Sequence, residues 1–157
     1  MRFPLLIKFL DVSHPLGEQS HHADALAAKY GLRDPGKTEA WYMLKTRPGA
    51  TIRCGHIAGT TPEQVRTAVL DGTIRYLMQE YVVEPGDAFL LHAGTMHYSD
   101  GGVLFYEIMQ NSDVYISLRP PPAHFSPTSH RRPGRWSNGV ECAAFNAQRF
   151  IRKLRRK

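Results

Sequence analysis

The stretch 86–97, GDAFLLHAGTMH, decides the fold that we predict for this chain. It reads as a β-turn at Gly86, a short apolar strand, a second tight turn at Gly94 and then a histidine, His97. A histidine just past a glycine turn, in a segment otherwise suited to burial, predicts a metal ligand inside a small β-barrel.

The segments around this stretch continue the β-rich pattern. Short apolar or β-branched runs are separated by Pro-Gly, Ala-Gly and Gly-Gly turns, which is typical of a sandwich or barrel. We interpret residues 3–12 as a buried strand and residues 39–57 as a hairpin around the turn TRPG. Further short strands are predicted over residues 81–87, 88–98, 101–110 and 112–118.

Two or three short helices interrupt the strands. Residues 21–32 contain good helix formers and end at Gly31, a typical C-cap. A second helix is predicted to begin at Thr61, because Pro62 follows the cap and Gln64 stands three residues after it, as in a capping box. Residues 73–80 could form a third short helix.

Length and composition limit the class of protein. A chain of 157 residues forms one domain with a real core, and none of its apolar runs approaches the roughly 18 residues of a membrane span. The N-terminus lacks the features of a secretory signal, so we expect a cytoplasmic protein that does not bind membranes. The two cysteines, Cys54 and Cys142, are too few for a disulfide framework and are expected to be plain buried or half-exposed thiols.

The formal net charge of +6 is concentrated in one region. Residues 131–157 contain nine of the twenty Lys and Arg residues and a single acid, while residues 1–130 contain eleven bases and thirteen acids. We predict a Pro/Ser/Arg-rich loop over 119–139, then a final strand and a solvated basic tail over 140–157. Nucleic-acid binding by this tail is the less favoured interpretation, because no recognition motif accompanies it.

Candidate ligands occur before His97 as well. Gln19 and His21 stand two positions apart, so on an extended segment their side chains share a face. Glu39 stands at the mouth of a predicted strand. Together with His97 they form a mixed nitrogen and oxygen set, which suits Zn²⁺ or another divalent ion and leaves room for water or substrate.

The spacing of the opening stretch resembles the second motif of the cupin superfamily, Gly-x5-Pro-x-Gly-x2-His. Gly86, Gly94 and His97 match it, and His92 replaces the proline. The resemblance implies a mainly β fold over residues 1–118: a cupin-type double-stranded β-helix, or jelly-roll barrel, with two or three short helices inserted.

Four motifs in one order narrow the resemblance. They are Gln-x-His at 19–21, Lys-Thr-Glu at 37–39, Ala-Gly-Thr-x-His at 93–97 and Glu-x-x-Gln-Asn-Ser-Asp at 107–113. This combination, spread over roughly residues 4–118, closely resembles type I phosphomannose isomerase in its bacterial form.

The resemblance implies a function and a site. In that family the matching positions hold zinc, which here are Gln19, His21, Glu39 and His97. Lys37 matches the active-site lysine, with a catalytic and substrate-binding role. The expected activity is a zinc-dependent aldose–ketose isomerisation between mannose 6-phosphate and fructose 6-phosphate; another divalent metal is compatible with the ligand set.

Two departures from the family leave alternatives open. Ser117 stands where the family has an arginine, and Arg119 lies two residues further on. Family members are also longer, with a further β-rich segment before this region and a second cupin-like region after it. The alternative function is therefore a non-catalytic cupin that binds metal and sugar phosphate, and a homodimer through exposed barrel edges is compatible with the sequence.

Overall fold

The computed structural model describes residues 3–113 and 115–119 as two antiparallel β-sheets packed face to face. The first sheet contains, in spatial order, β1 (Leu5–Val12), β8 (Val103–Gln110), β3 (Glu39–Thr46) and β6 (Ala88–Leu91). The second sheet contains β5 (Met78–Val82), β4 (Thr51–His56), β7 (His97–Ser99), β2 (Gln19–Ser20) and β9 (Ile116–Ser117). The predicted mainly β fold with few short helices is confirmed.

The main core lies between the two sheets. Along β3 and β8, side chains alternate between inward and outward positions, because successive strand residues point to opposite faces. Trp41, Met43 and Phe105 from the first sheet pack against Ile52 and Cys54 from the second, and each of these is at most 1% exposed. The expected buried thiol at Cys54 is confirmed.

Two α-helices and one 3₁₀ helix complete the described fold: α1 (Asp24–Lys29), α2 (Pro62–Leu70) and the 3₁₀ helix (Ile74–Leu77). The capping box at the start of α2 is confirmed, since the Gln64 N–H donates to Thr61 Oγ1 and the Thr61 N–H donates to Gln64 Oε1. Gly31, at φ 60°, ends α1 in the left-handed conformation that glycine favours.

The outer faces of the two sheets differ. The second sheet is covered by α2 and the 3₁₀ helix, whose Val65, Val69 and Ile74 form an apolar cluster with Tyr98 and Leu118. No described element covers the outer side of β1, where Leu5, Ile7 and Phe9 are 40%, 47% and 70% exposed. The prediction that β1 is a buried strand is therefore right for only one of its faces.

The predicted hairpin over residues 39–57 is wrong, although both strands and the turn exist. β3 pairs with β6 and β8, whereas β4 pairs with β5 and β7. The turn at Pro48 and Gly49 (φ 76°) carries the chain from one sheet to the other. The reason is that Met43 and Ile52 both face inward and pack across the core.

The helix predicted over residues 73–80 is also largely wrong. Only one 3₁₀ turn forms, and Thr73 caps it without a side-chain hydrogen bond. From Met78 onward the backbone pairs with β4, so the sheet takes the hydrogen bonds that a helix would need.

Other predictions fall outside the described residues. They concern the loop over 119–139, of which only Arg119 is described, and the final strand and basic tail over 140–157. Cys142 also lies outside the described residues. Within the described part of the chain, each helix is too short to cross a membrane.

Candidate metal centre

Three buried side chains converge at one end of the barrel. His21 directly follows β2, Glu39 is the first residue of β3, and His97 is the first residue of β7. Each is at most 2% exposed, and one potential ligand atom from each lies within 4.8 Å of the others. The structure thus brings together three of the four predicted ligands.

The distances among these atoms fit a small divalent cation. His21 Nε2 lies 3.1 Å from Glu39 Oε2, and His97 Nε2 lies 3.4 Å from Glu39 Oε1. Ligands bound tetrahedrally to zinc at about 2.1 Å are about 3.4 Å apart. Among residues 3–113 and 115–119, Glu39 Oε1 and His97 Nε2 have no hydrogen-bond partner, as expected of buried atoms that serve a metal.

The protonation states also suit metal binding. Burial lowers the pKa of His21 to about 4, outweighing the hydrogen bond to Glu39, which raises it. Burial raises the pKa of Glu39, but the hydrogen bond from His21 and the electrostatic effect of the neighbouring histidines and Lys37 outweigh burial and lower the pKa to about 2. At neutral pH His21 is therefore neutral and Glu39 is charged, the forms in which both bind metals.

A turn just before β7 orients the ligands. The His97 Nδ1–H donates to the Thr95 carbonyl at 2.9 Å, which leaves Nε2 facing Glu39. Gly94, at φ 88°, donates its N–H to the His21 carbonyl at 2.6 Å. The Trp41 and His97 rings pack at right angles, with centroids 5.5 Å apart. Backbone and core contacts thus hold the ligands before any ion binds.

Gln19, the fourth predicted ligand, stands beside His97. The two residues are directly opposed in the β2–β7 pair, so their side chains share one face of the sheet, and Gln19 is half-buried. Ser117 is the next residue in this row, opposite Gln19 on β9. Arg119 does not occupy the row, because its Nε–H donates to Glu18 Oε2 at 2.6 Å.

Lys37 enters the same end of the barrel just before β3. It is 6% exposed, and burial lowers the pKa of its amine, while the charges of Glu39 and Glu107 oppose this shift. The predicted lysine is thus a buried group close to the three potential ligands.

Two charged residues of this site, Lys8 and Glu107, were given no role from the sequence, although Glu107 begins the fourth motif. Glu107, 5% exposed, faces inward on β8; its Oε1 accepts from Trp41 Nε1 at 3.1 Å, and its Oε2 lies 2.8 Å from Lys8 Nζ. Lys8 and Glu107 are directly opposed across β1 and β8. Each is a lone charge within an apolar run, a signal that could have marked both as functional.

The remaining histidines do not join this cluster within the described residues. His92 begins the turn before β7 and is half-buried, and His22 is a packing residue, fully buried beside Asp34 and Pro35. His124 and His130 lie outside the described residues.

Relatives of known sequence support one family, although the chain matches no family model. Mannose-6-phosphate isomerase ManA of Bacillus subtilis (strain 168) is 40% identical over 117 residues, covering 74% of this chain and 37% of the relative. The mannose-6-phosphate isomerase of Streptococcus mutans is 37% identical over 112 residues, 71% of this chain and 35% of the relative. The chain thus spans about a third of the length of these relatives.

A solved structure agrees with the sequence relatives. The crystal structure of the mannose 6-phosphate isomerase from Bacillus subtilis superposes with a TM-score of 0.76 at 30% identity, covering 92% of this chain and 46% of the other. The fold and the buried cluster define a cupin-type β-barrel whose interior can hold a metal. Within that class, the region shared with these relatives belongs to the mannose-6-phosphate isomerase family.

Proposed function

We propose that this chain is a zinc-dependent aldose–ketose isomerase that interconverts mannose 6-phosphate and fructose 6-phosphate in the cytoplasm. The observation that carries the proposal is the convergence of buried His21, Glu39 and His97 in a barrel whose relatives are mannose-6-phosphate isomerases. Gln19, beside His97 in the sheet, is proposed as the fourth ligand. A bound zinc ion would act as a Lewis acid toward the oxygens at C1 and C2 of the sugar.

Glu107 is the group that we assign as the base. Its carboxylate lies on the inner face of β8, and Glu39 opposes Met109, two residues further along the same strand. Diagonal neighbours of this kind lie on one face of the sheet, so the two carboxylates face the same end of the barrel interior. Glu107 would take the proton from C2 and return it to C1, while the hydroxyl proton passes from O2 to O1.

The two lysines, Lys37 and Lys8, would interact with the negative charges of the substrate. Lys37 is buried beside Glu39 and Glu107, where a cationic amine stabilises negative charge that develops on the sugar oxygens. The side chain of Lys8 is 36% exposed while it pairs with Glu107, so it can hold the carboxylate and also meet an anionic substrate at the mouth.

The test is a coupled assay on the full chain. Fructose 6-phosphate formed from mannose 6-phosphate is converted onward to a dehydrogenase readout, with the protein stripped of metal or loaded with Zn²⁺. Turnover is expected only in the loaded protein, and the Glu39→Ala variant serves as the metal-free reference. Absence of turnover above background in the zinc-loaded chain would refute the catalytic proposal.

One observation favours a second candidate function, binding without turnover. Ser117 stands in the row that contains His97 and Gln19, and it cannot supply the cation expected at that position. Arg119 is held by Glu18 instead. Calorimetric titration of the zinc-loaded chain with mannose 6-phosphate separates the two functions, because binding without turnover supports a binding protein. A homodimer stays a prediction.

A further inference from the structure

The loop before β3, residues 34–37, makes close contacts with residues 22–24, the segment after His21. These contacts form a joint between the two segments. The Lys37 N–H donates to the His22 carbonyl at 3.1 Å, and the Gly36 N–H donates to Asp24 Oδ1 at 2.7 Å. Asp24 is the first residue of α1, so the loop is bonded to the start of a helix.

The joint is too close for any side chain at position 36. A Cβ on Gly36 would lie 2.5 Å from the Asp24 nitrogen and 2.7 Å from the Ala23 carbonyl carbon, and both atoms belong to backbone. Backbone at the start of a helix cannot yield as a flexible side chain does, so the loop itself would have to move away.

A buried ring completes the joint from the other side. His22 is 0% exposed, and its ring lies beside the backbone of Asp34 and Pro35 in the same loop. Gly36 and Lys37 are therefore bonded to Asp24 and His22, and residues 34 and 35 lie against the buried His22 ring.

We propose that His22, Asp24 and Gly36 are positioning residues for Lys37, an inference that rests on the proposed function. A lysine has a flexible four-carbon stem, so its amine keeps one place inside the barrel only if the backbone at position 37 is fixed. The joint provides that fixation. It also sets the distance between Lys37 and His21, because both residues flank it.

The decisive variant is Gly36→Ala, with Gly31→Ala as the matched control. Gly31 lies at φ 60° with no atom within 4 Å of its added Cβ, so alanine there strains the chain without touching the joint. Gly36→Ala is expected to raise KM for mannose 6-phosphate at least tenfold, with bound zinc per chain unchanged. Gly31→Ala is expected to lower thermal stability about as much as Gly36→Ala does and to leave KM unchanged.

A double-mutant cycle tests whether the joint acts through Lys37. In a Lys37→Ala background, the added Gly36→Ala change is expected to alter KM less than twofold, since the positioned group is already absent. Asp24→Ala should raise KM about threefold, and Asp24→Asn should restore it, because the amide oxygen still accepts from the Gly36 N–H. Full additivity in the cycle, or loss of zinc in proportion to activity, would overturn the proposal.

Hydrogen exchange keeps this test independent of turnover. Amides in the peptide covering residues 33–38 are expected to exchange at least tenfold faster in Gly36→Ala than in wild type or Gly31→Ala. If the wild-type chain has no isomerase activity, the proposed function fails on its own, while unchanged exchange in Gly36→Ala would refute the joint itself.

Discussion

The two ends of the barrel interior are lined by the same strands but by different chemistry. Along β3 the inward residues run from Glu39 through Trp41 to Met43. Along β8 they run from Glu107 to Phe105 and Val103 in the same direction. On these two strands one end holds charged and ligating groups, and the inward residues at the other end, Met43, Phe105 and Val103, are apolar.

This difference shows how one small fold divides two tasks. Buried charges reduce stability unless they are paired, so the charged end depends on its ion pairs and hydrogen bonds. The apolar end contributes the hydrophobic burial that makes the fold stable. Substitutions at one end should therefore change function with little effect on stability, and substitutions at the other should do the reverse.

The largest functional effect is expected from Glu107→Gln at the charged end. The amide oxygen can still accept from Trp41, but it cannot take a proton, so kcat should fall by about 100- to 10,000-fold. Bound zinc should stay unchanged. The coupled assay and metal analysis check this, with exposed Glu84→Gln as the control. A kcat within threefold of wild type would remove Glu107 as the base.

The largest stability effect is expected from Phe105→Ala at the apolar end. Phe105 is 0% exposed, and truncating a buried phenylalanine removes about 3–5 kcal/mol from the free energy of unfolding. Denaturant unfolding measures the loss, and Leu70→Ala, 65% exposed on α2, is the control. If instead the variant lost its zinc and kept its stability, the division between the two ends would be wrong.

The third effect is on the metal itself. His97→Ala and Glu39→Ala are each expected to weaken zinc binding at least about 100-fold. Loss of a residue that only orients a ligand already lowers metal affinity by about 10- to 100-fold. Competition with a chelating dye gives the affinities, and exposed His14→Ala should match wild type. Similar affinity in all three variants would contradict the site.

The fourth effect is a pH dependence of the metal-free chain. His21 has a pKa of 6.5 when unfolded and about 4 when folded, so between these values the unfolded state binds more protons. The free energy of unfolding should therefore decrease as the pH is lowered from 6.5 to 4, by at most about 3 kcal/mol. Below pH 4.5 the lowered pKa of Glu39 adds to the loss.

Urea unfolding at pH 7, 5.5 and 4.5 measures this slope. A His21→Gln variant should flatten it above pH 4.5. A slope of equal size in that variant would assign the effect to other groups.

The smallest effect is expected outside the barrel interior. Thr61→Ala removes the cap of α2 and should lower the free energy of unfolding by about 1 kcal/mol. Zinc affinity and kcat should not change, which is checked on the same samples. A change in either would show that α2 is coupled to the charged end.

Local signals in the sequence were enough for much of the fold. The capping box at Thr61, the C-cap at Gly31 and the short strand over 101–110 each depend on residues close together in the chain, and each is confirmed. The hairpin over 39–57 failed because a tight turn can join strands of one sheet or of two. The packing of Met43 against the side chains of the second sheet shows that this turn joins two sheets, and this contact is formed only in the tertiary structure.

For the site, the sequence by itself determined which side chains are available: His21, Glu39 and His97 stand at motif positions and are of ligating types. The tertiary structure alone decided their distances, the pairing of Lys8 with Glu107 and the joint that holds Lys37. The physical reason is that these contacts join residues far apart in sequence, and their geometry depends on strand register and core packing together.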